Sequence, residues 1–456
     1  MGRQGTTATD TELRSRYVIF GACSIALLMA SIDQTIVATA LPTLTRELGS
    51  SISWTSWTIT TYLLGQTVAM PIAGRLSDSW GRKRMFLAFV VTFTVSSLAC
   101  GLVNNIYLLV LFRFIQALGG GGFMPSAMGI VADRFGRDRE RAIGLFTSVF
   151  PLGALIGPAL GGVILSYTTW RLIFFINVPV GITLFVLLAW LLPREDAPRR
   201  PDLDLVGSGL LMATLFGFML GLNQLGELGL HSLLPWALLA VGGLLAVAFV
   251  LSQERSRNPV ISPALLRRRE FGIVNGLNLL YGACALGVFS LVPLFAEEAY
   301  GLGPLQAGTL LTARAIGMVV TAVAASMALR RFGYRLPMVV GFVLVGVGLF
   351  LVASSPTGLG PYAWLGLASI ACGMGIGISG PASNNAAIEL LPDQVAAISG
   401  LRGMFRQVGG IMGISVAALL VTEMGAPART LRLTFLGLAA LIVAATPLIA
   451  GVPERR

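Results

Sequence analysis

Asp33 is the residue whose setting in this sequence most directly suggests chemistry. It stands in the segment SIDQTIVATALP and is the only charged residue of an apolar run from Tyr17 to Leu41. An ionisable side chain inside a membrane-spanning helix costs on the order of 3 kcal/mol and marks an ion or substrate path by default. A carboxylate in this setting can take up and release a proton as its exposure to water changes.

Arg113 is the predicted partner of Asp33. The first predicted helix ends near Leu41, which puts Asp33 about 12 Å from that end, and another begins near Ile106, which puts Arg113 about 10 Å from the same membrane surface. We therefore expect both residues to face one polar cavity in the N-terminal half of the chain, with Asp33 as the protonatable group and Arg113 as the cation that tunes its proton affinity. The alternative is a static buried pair that fixes helix register.

The composition defines the elements that must position this pair. The chain has 456 residues, of which 55% are hydrophobic and 12% are charged. A soluble domain of this length would carry about 25% charged residues. The composition therefore excludes a soluble globular protein and predicts an all-α membrane protein.

Apolar runs separated by charged or Gly/Pro-rich breaks predict fourteen membrane-spanning helices, since each crossing needs about 20 apolar residues. The predicted spans are 17–41, 52–76, 85–103, 106–130, 141–165, 170–192, 204–223, 233–252, 271–299, 304–329, 335–353, 359–382, 395–423 and 429–451.

The basic residues predict the orientation of these spans. Of 32 Lys and Arg residues, 24 fall in the segments on the side of the N-terminus, and only Arg46, Arg171, Arg429 and Arg432 fall on the opposite side. Positive residues collect on the cytoplasmic side, so both termini are expected there. The polar first 16 residues lead into an apolar run without a small-residue cleavage site, which indicates a tail and a first span. Because the charge of +11 is spread over loops, it does not predict a nucleic-acid partner.

Two charged breaks, Pro193–Asp204 and Glu254–Glu270, predict the domain organisation. They divide the chain into a six-helix half (1–193), linkers with two inserted helices (194–270) and a second six-helix half (271–456). Paired halves are typical of rocking transporters. A channel or a structural bundle is the alternative.

Several kinds of chemistry are disfavoured by the residues present. The four cysteines lie in apolar segments without metal-ligand spacing, and His231 and Lys83 are the only residues of their types. Ser-His pairs, His-based metal sites, Schiff bases and a Walker A loop are therefore not expected. We expect no enzyme activity, no cofactor and no metal.

The loop after the second predicted span, GRLSDSWGRKR, is similar to the GxLxDxxGRK signature of the major facilitator superfamily. Its matching residues are Gly74, Asp78, Gly81, Arg82, Lys83 and Arg84. Glycines permit close contact and a tight turn, and a carboxylate can pair with arginines or cap a neighbouring helix. The loop is expected to act as a two-state latch between the halves on the cytoplasmic side. The corresponding segment Leu329–Arg335 has Arg330 where Asp78 would fall, so a second latch would lack its carboxylate.

Other segments extend the resemblance, specifically to the fourteen-helix drug:proton antiporter branch. The fourth span carries RFIQALGGG from Arg113, which resembles the family's arginine motif and implies a part for Arg113 in proton coupling. The fifth span resembles the antiporter motif through Gly153, Gly157, Pro158, Gly161 and Gly162. Its glycine strip is expected to allow tight contact between the halves, and ordinary small-residue packing is the alternative. Further similar segments are 33–42, 170–181, 399–401 and 406–410.

The resemblance implies an antiporter of the bacterial inner membrane, functional as a monomer, that exports small amphipathic or cationic compounds in exchange for protons by alternating access. An exporter of one metabolite or antibiotic, or a proton-coupled importer, would share the architecture. Where the branch more often has glutamine, this chain has Glu297, which could alter charge preference. Depth and polarity select nine candidate cavity residues: Trp57, Tyr62, Gln66, Asn275, Asn278, Tyr281, Glu297, Arg314 and Asn384.

Overall fold

The described part of the structure is built from helices, and it contains no strand. The structure, a computed structural model, describes residues 10–50, 52–192, 204–256, 259–356 and 358–454. The α-helices of this part are α1 (Asp10–Glu47), α2 (Ile52–Trp80), α3 (Arg82–Leu102), α4 (Ile106–Phe135), α5 (Arg139–Thr147), α6 (Val149–Tyr167), α7 (Leu172–Phe175), α8 (Asn177–Leu191), α9 (Leu205–Leu228), α10 (Leu233–Arg255), α11 (Pro263–Leu266), α12 (Arg269–Tyr281), α13 (Val292–Tyr300), α14 (Pro304–Phe332), α15 (Arg335–Ala353), α16 (Pro361–Ile388), α17 (Val395–Met424) and α18 (Pro427–Ala444).

The predicted all-α membrane architecture is confirmed, although the count of fourteen spans is not. Among the described residues, thirteen helices are long and apolar enough to cross a membrane. The expected span that fails this composition test is α2, which is 29 residues long but rich in Ser and Thr. Most other helices extend beyond the predicted bounds, because a helix continues past the apolar segment that the bilayer requires.

Local sequence sets several helix ends. The Asn105 side chain caps α4 by accepting bonds from the backbone N–H groups of Tyr107 (2.8 Å) and Leu108 (3.3 Å). Asp204 caps α9 through the N–H of Gly207 at 2.7 Å. Such caps satisfy backbone donors that the first helical turn leaves unpaired. Proline begins α14, α16 and α18, where a missing N–H costs nothing.

The ninth expected span is interrupted in its middle. Between α12 and α13 the chain forms a π-helical segment, Gly282–Gly287, and a 3₁₀ turn, Val288–Leu291. Gly282 and Gly287 lie so close to α17 that an added Cβ would approach the backbone oxygens of Arg406 and Gly410 at 2.0 and 2.4 Å. Segments of this kind release backbone carbonyls and often occur at functional sites.

Two groups of helices surround the centre of the molecule: the first group is α1–α8 and the second group is α12–α18. Helices α9 and α10 pack against each other, and α9 also packs on α17 and α2. Residues 193–203 of the expected linker, and the expected basic residues Arg3, Arg194, Arg199, Arg200, Arg257, Arg455 and Arg456, lie outside the described residues.

Candidate functional site

The structure brings Asp33 and Arg113 together inside the first group. Arg113 Nη1 donates to Asp33 Oδ2 at 2.5 Å, and both side chains are fully buried. The second carboxylate oxygen, Oδ1, accepts from Gln116 Nε2 at 3.0 Å and from Asn177 Nδ2 at 2.8 Å. Residues of α4 and α8 thus bond directly to the carboxylate carried by α1, and α3 supports them from behind.

Ser97 on α3 ties these amides together. Its Oγ accepts from Gln116 Nε2 and from Asn177 Nδ2, both at 3.0 Å, and donates to the Phe174 carbonyl at 2.9 Å. A buried charge is tolerated only when its hydrogen-bonding capacity is met. This network meets it for Asp33.

Arg113 has acceptors other than Asp33. Its Nη1 also donates to Gln116 Oε1 at 2.7 Å, its Nε donates to the Thr58 carbonyl at 3.3 Å, and its guanidinium lies 4.1 Å from the centre of the Tyr62 ring. Nη2 is buried without a partner. Neutralising Asp33 would therefore leave the guanidinium with carbonyl acceptors and an aromatic face.

A cavity of about 360 Å³ lies between the two groups, within the range of about 300–1,000 Å³ typical of ligand pockets. Its polar lining consists of Gln34, Thr35, Gln66, Thr147, Ser148, Tyr281, Ser290, Arg314, Arg402, Arg406 and Gln407. Leucine, isoleucine, methionine and phenylalanine side chains supply most of the remainder. Neither Asp33 nor Arg113 is part of this lining. The polar space expected around the pair in the N-terminal half is filled by the side chains that bond to Asp33, and both residues of the pair are fully buried. Asp33 adjoins the cavity only through the next residue in the chain, Gln34, which is part of the lining.

Three arginines of the second group line the cavity. Arg402 is 3% exposed and donates through Nη2 to Ser383 Oγ at 3.3 Å. Arg314 donates through Nη1 to the Ala285 carbonyl of the π-helical segment at 2.8 Å. The Nε atoms of Arg314, Arg402 and Arg406 are buried without partners. Among the described residues, no carboxylate forms an ion pair with any of the three.

Only three of the nine candidate cavity residues line this cavity: Gln66, Tyr281 and Arg314. Tyr62 is buried against Arg113, and Trp57 is half-buried elsewhere on α2. The amides of Asn275, Asn278 and Asn384 contact the Phe271 carbonyl, the Arg402 carbonyl and Met128 Sδ, so they serve helix packing. Glu297 is exposed, as is its neighbour Glu298, because both lie on the outer face of α13.

The glycine strip of α6 packs on α1 of the same group and not between the groups as expected. A Cβ on Gly153, Gly157 or Gly161 would meet Ser31, Thr35 or Thr39 within 2.0–2.5 Å. These three partners recur every fourth residue, so a hydroxyl-bearing face of α1 fits the side-chain-free face of α6. Pro158 and Gly162 are exposed on the other side. The strip therefore seats the helix that carries Asp33.

The latch loop (Gly74–Arg84) joins the two groups. Asp78 Oδ2 accepts from the N–H of Ala397, in the first turn of α17, at 2.8 Å, and Arg82 Nη2 lies 3.5 Å from Asp78 Oδ1. A Cβ on Gly74 would meet the Ala396 carbonyl oxygen at 2.3 Å. The carboxylate thus faces the positive end of a helix in the opposite group.

The remaining latch residues hold the turn. Gly81 has φ +95°, a backbone conformation that favours glycine. Arg82 also pairs with Asp133 and donates to the Gly129 carbonyl at 2.6 Å, and Lys83 donates to the Ala189 carbonyl at 2.7 Å. Arg84 is exposed.

A second contact joins the groups at the same end of the bundle. The hydroxyl of Tyr334, in the segment that lacks the carboxylate of the first latch, lies 3.2 Å from Glu140 Oε1 of the first group and 3.3 Å from Glu389 Oε1. Arg139 Nη2 lies 3.5 Å from the same Glu389 oxygen. Burial, followed by the two carboxylates, raises the pKa of Tyr334 above its ordinary value. The hydroxyl therefore remains a donor at neutral pH.

Sequence reasoning assigns no role to five residues that the structure places at these sites. Gln116 follows Arg113 by one helical turn and therefore lies on the same helix face, and Asn177 is the one amide in its apolar span. The positions of both residues in the sequence could have identified them as parts of the site. Arg402 and Arg406 lie seven and eleven residues into α17. Like Asp33, they are charged residues inside a predicted span, a position that marks an ion or substrate path. Ser97 gave no such signal, because serine is common inside spanning helices.

The spanning helices form a bundle around a central cavity, an arrangement typical of membrane transporters. A model of the Major Facilitator Superfamily matches residues 23–414 and 276–456, and the chain belongs to that family. It is 32% identical to a multidrug resistance protein B homolog of Mycobacterium tuberculosis over 413 residues, which cover 88% of this chain and 75% of that protein. It is 29% identical to the tetracenomycin C resistance and export protein of Streptomyces glaucescens over 408 residues, which cover 88% of this chain and 75% of that protein.

A solved structure shares the fold. The human organic anion transporter MFSD10 superposes with a TM-score of 0.70 over 96% of this chain and 99% of its own, at 15% sequence identity. At that identity the likeness concerns the fold alone.

Proposed function

We propose that this chain is a proton-coupled antiporter of the bacterial inner membrane that exports small amphipathic compounds by alternating access. The observation that carries the proposal is the buried Asp33 carboxylate, held by Arg113 and two amides next to the cavity residue Gln34. Relatives named as multidrug resistance and export proteins support efflux over uptake.

In this mechanism the proton and the substrate use neighbouring sites. Asp33 accepts a proton when rearrangement of α1 admits water, and Arg113 then keeps Gln116 Oε1 and the Thr58 carbonyl as acceptors. Release of the proton restores the ion pair. The glycine strip couples this helix to α6, which adjoins the cavity.

The contacts of the latch loop support a proposal for the conformational state of the structure. Met70 lines the cavity, and Gly74 and Asp78 follow it by one and two turns of α2, so the contacts between the groups lie about 6 to 12 Å beyond the cavity. By the positive-inside rule this end is cytoplasmic. We infer that the cavity is closed towards the cytoplasm and that substrate entry requires Asp78 to leave α17.

The driving force is sufficient without nucleotide hydrolysis. Exchange of one proton for one neutral molecule moves one charge, worth about 2.3 kcal/mol per 100 mV. This corresponds to an accumulation of roughly 50-fold before any pH gradient is added.

The test uses purified protein in liposomes with an imposed pH gradient, acidic inside, and two probe dyes, fluorescein and rhodamine 123. We expect gradient-driven uptake of at least one dye with simultaneous proton efflux, and loss of both fluxes in Asp33→Asn. The matched control is Asp393→Asn, which removes an exposed carboxylate. Dye movement that persists unchanged in Asp33→Asn, or that ignores collapse of the gradient, would overturn the proposal.

A further inference from the structure

The charged residues that line the central cavity are all basic. Arg314, Arg402 and Arg406 line it, and none of its described lining residues is an aspartate or glutamate. Asp33 precedes the lining residue Gln34 on α1, but its carboxylate already accepts hydrogen bonds from Arg113, Gln116 and Asn177. The cavity therefore presents guanidinium groups without an internal counter-ion.

These guanidiniums also lack full hydrogen bonding. Arg402 is nearly completely buried, yet its described partner is a neutral serine hydroxyl at 3.3 Å. Arg314 has a backbone carbonyl at 2.8 Å, and the Nε atoms of all three arginines are buried without an acceptor. Arg113, by contrast, has a carboxylate at 2.5 Å. The same protein thus pairs one buried arginine and leaves three unpaired around open space.

A purely structural role does not account for this arrangement. Arg402 and Arg406 are four residues apart on α17, a spacing at which like charges repel. Buried unpaired charge is unfavourable, and within a membrane it is tolerated mainly where it faces a cavity and serves a substrate or ion path. The cavity beside these guanidinium groups is therefore the place where an acceptor would bind.

Building on the proposed transport function, we propose that the substrates are amphipathic organic anions. A carboxylate or sulfonate would be bound by Arg402 and Arg406 from α17 and by Arg314 from α14, since the planar guanidinium matches such groups with paired hydrogen bonds. The apolar body would lie against side chains such as Met124, Met318 and Ile411. Cations are disfavoured because three positive charges face the same space.

This assignment changes how the membrane potential acts on transport. Export of a monovalent anion in exchange for one proton moves two charge equivalents inward, whereas export of a monovalent cation for one proton moves none. An imposed potential at a fixed pH gradient therefore accelerates anion exchange and leaves one-for-one cation exchange unchanged.

The test compares equilibrium binding of fluorescein, which is anionic at neutral pH, and rhodamine 123, which is cationic and shares its ring system, to purified protein in a neutral detergent. We expect fluorescein to bind at least tenfold more tightly. Arg402→Gln and Arg406→Gln should each weaken fluorescein binding at least tenfold, and Arg402→Lys should retain part of it. The control is Arg331→Gln, which removes one exposed positive charge at the end of α14 and should leave binding unchanged.

Each outcome separates this inference from the proposed function, because binding requires no proton gradient. Tighter binding of rhodamine 123, equal binding of the two dyes, no binding of either, or fluorescein binding that is insensitive to both glutamine variants would overturn the anion assignment. Arginine-dependent fluorescein binding without gradient-driven transport would support the anion site and overturn proton coupling. Arginine-dependent binding together with transport that the membrane potential accelerates would support both.

Discussion

The carboxylate of Asp78 accepts a hydrogen bond at 2.8 Å from the backbone N–H of Ala397, a residue 319 positions later in the chain. A carboxylate at a helix N-terminus is stabilised by unpaired donors and by the helix dipole, together worth about 1–2 kcal/mol. Because the two residues belong to opposite helix groups, this single contact favours one arrangement of the groups over another.

Removal of this carboxylate should shift the conformational equilibrium. For Asp78→Ala we expect the population in which the groups are separated at the latch end to rise about tenfold, which corresponds to about 1.4 kcal/mol. Distances between spin labels at Trp80→Cys and Asp393→Cys, both exposed positions, measure this population. The four native cysteines are buried and should label slowly. An unchanged distance distribution, or the same change in Ser79→Ala, would contradict the latch role.

The Asp33–Arg113 pair should behave as one unit in stability measurements. Arg113→Met leaves the Asp33 carboxylate buried without its cation, and Asp33→Asn leaves Arg113 without its anion. Each should lower the free energy of unfolding, by about 3–5 kcal/mol for loss of one member of a buried pair. The double variant should cost clearly less than the sum, because no lone charge remains. Unfolding in detergent micelles measures the cycle, and additive costs would argue against coupling.

Two glycines of α6 offer a matched comparison. A Cβ at Gly157 would lie 2.0 Å from Thr35 Oγ1, whereas a Cβ at Gly162 would have no described heavy atom within 4 Å apart from its own helix. Gly157→Ala should therefore destabilise the protein by about 1–3 kcal/mol through overpacking. Gly162→Ala should change stability by about 0.5 kcal/mol or less. Adding Thr35→Ala should recover much of the loss, and equal effects of the two glycine substitutions would refute the packing argument.

The Tyr334 hydroxyl should hold the second contact throughout the neutral pH range. Its raised pKa means that the stabilising contribution is present below the ordinary tyrosine value of about 10 and is lost only as pH rises through the higher folded-state value. Tyr334→Phe should therefore separate Glu140 from Glu389 by the same amount at pH 6 and at pH 9. Spin labels at Arg141→Cys and Arg331→Cys, both exposed, measure the separation. A difference confined to one end of this range would show that another group controls the contact.

The pairing of Asp33 with Arg113 could be predicted from the sequence, because it depends on how deep each residue lies along its helix. Depth follows from counting 1.5 Å per residue from a membrane surface, and this counting put Asp33 and Arg113 at one level. It did not reveal that their pair is sealed from the cavity, because that depends on the rotation of α1 about its axis. The same rotation turned Thr35 towards Gly157 and Gln34 towards the cavity.

The sequence by itself determined that this chain is an all-helical membrane protein, that it resembles a transporter family, and which few residues carry charge inside the spans. These properties reside in composition, local apolar runs and short motifs. Tertiary structure alone decided which charges are neutralised. Asp33 forms an ion pair with Arg113, whereas Arg314, Arg402 and Arg406 line a cavity that has no carboxylate among its described residues. Neutralisation depends on distances of a few ångströms between helices far apart in the chain, and these are set by packing.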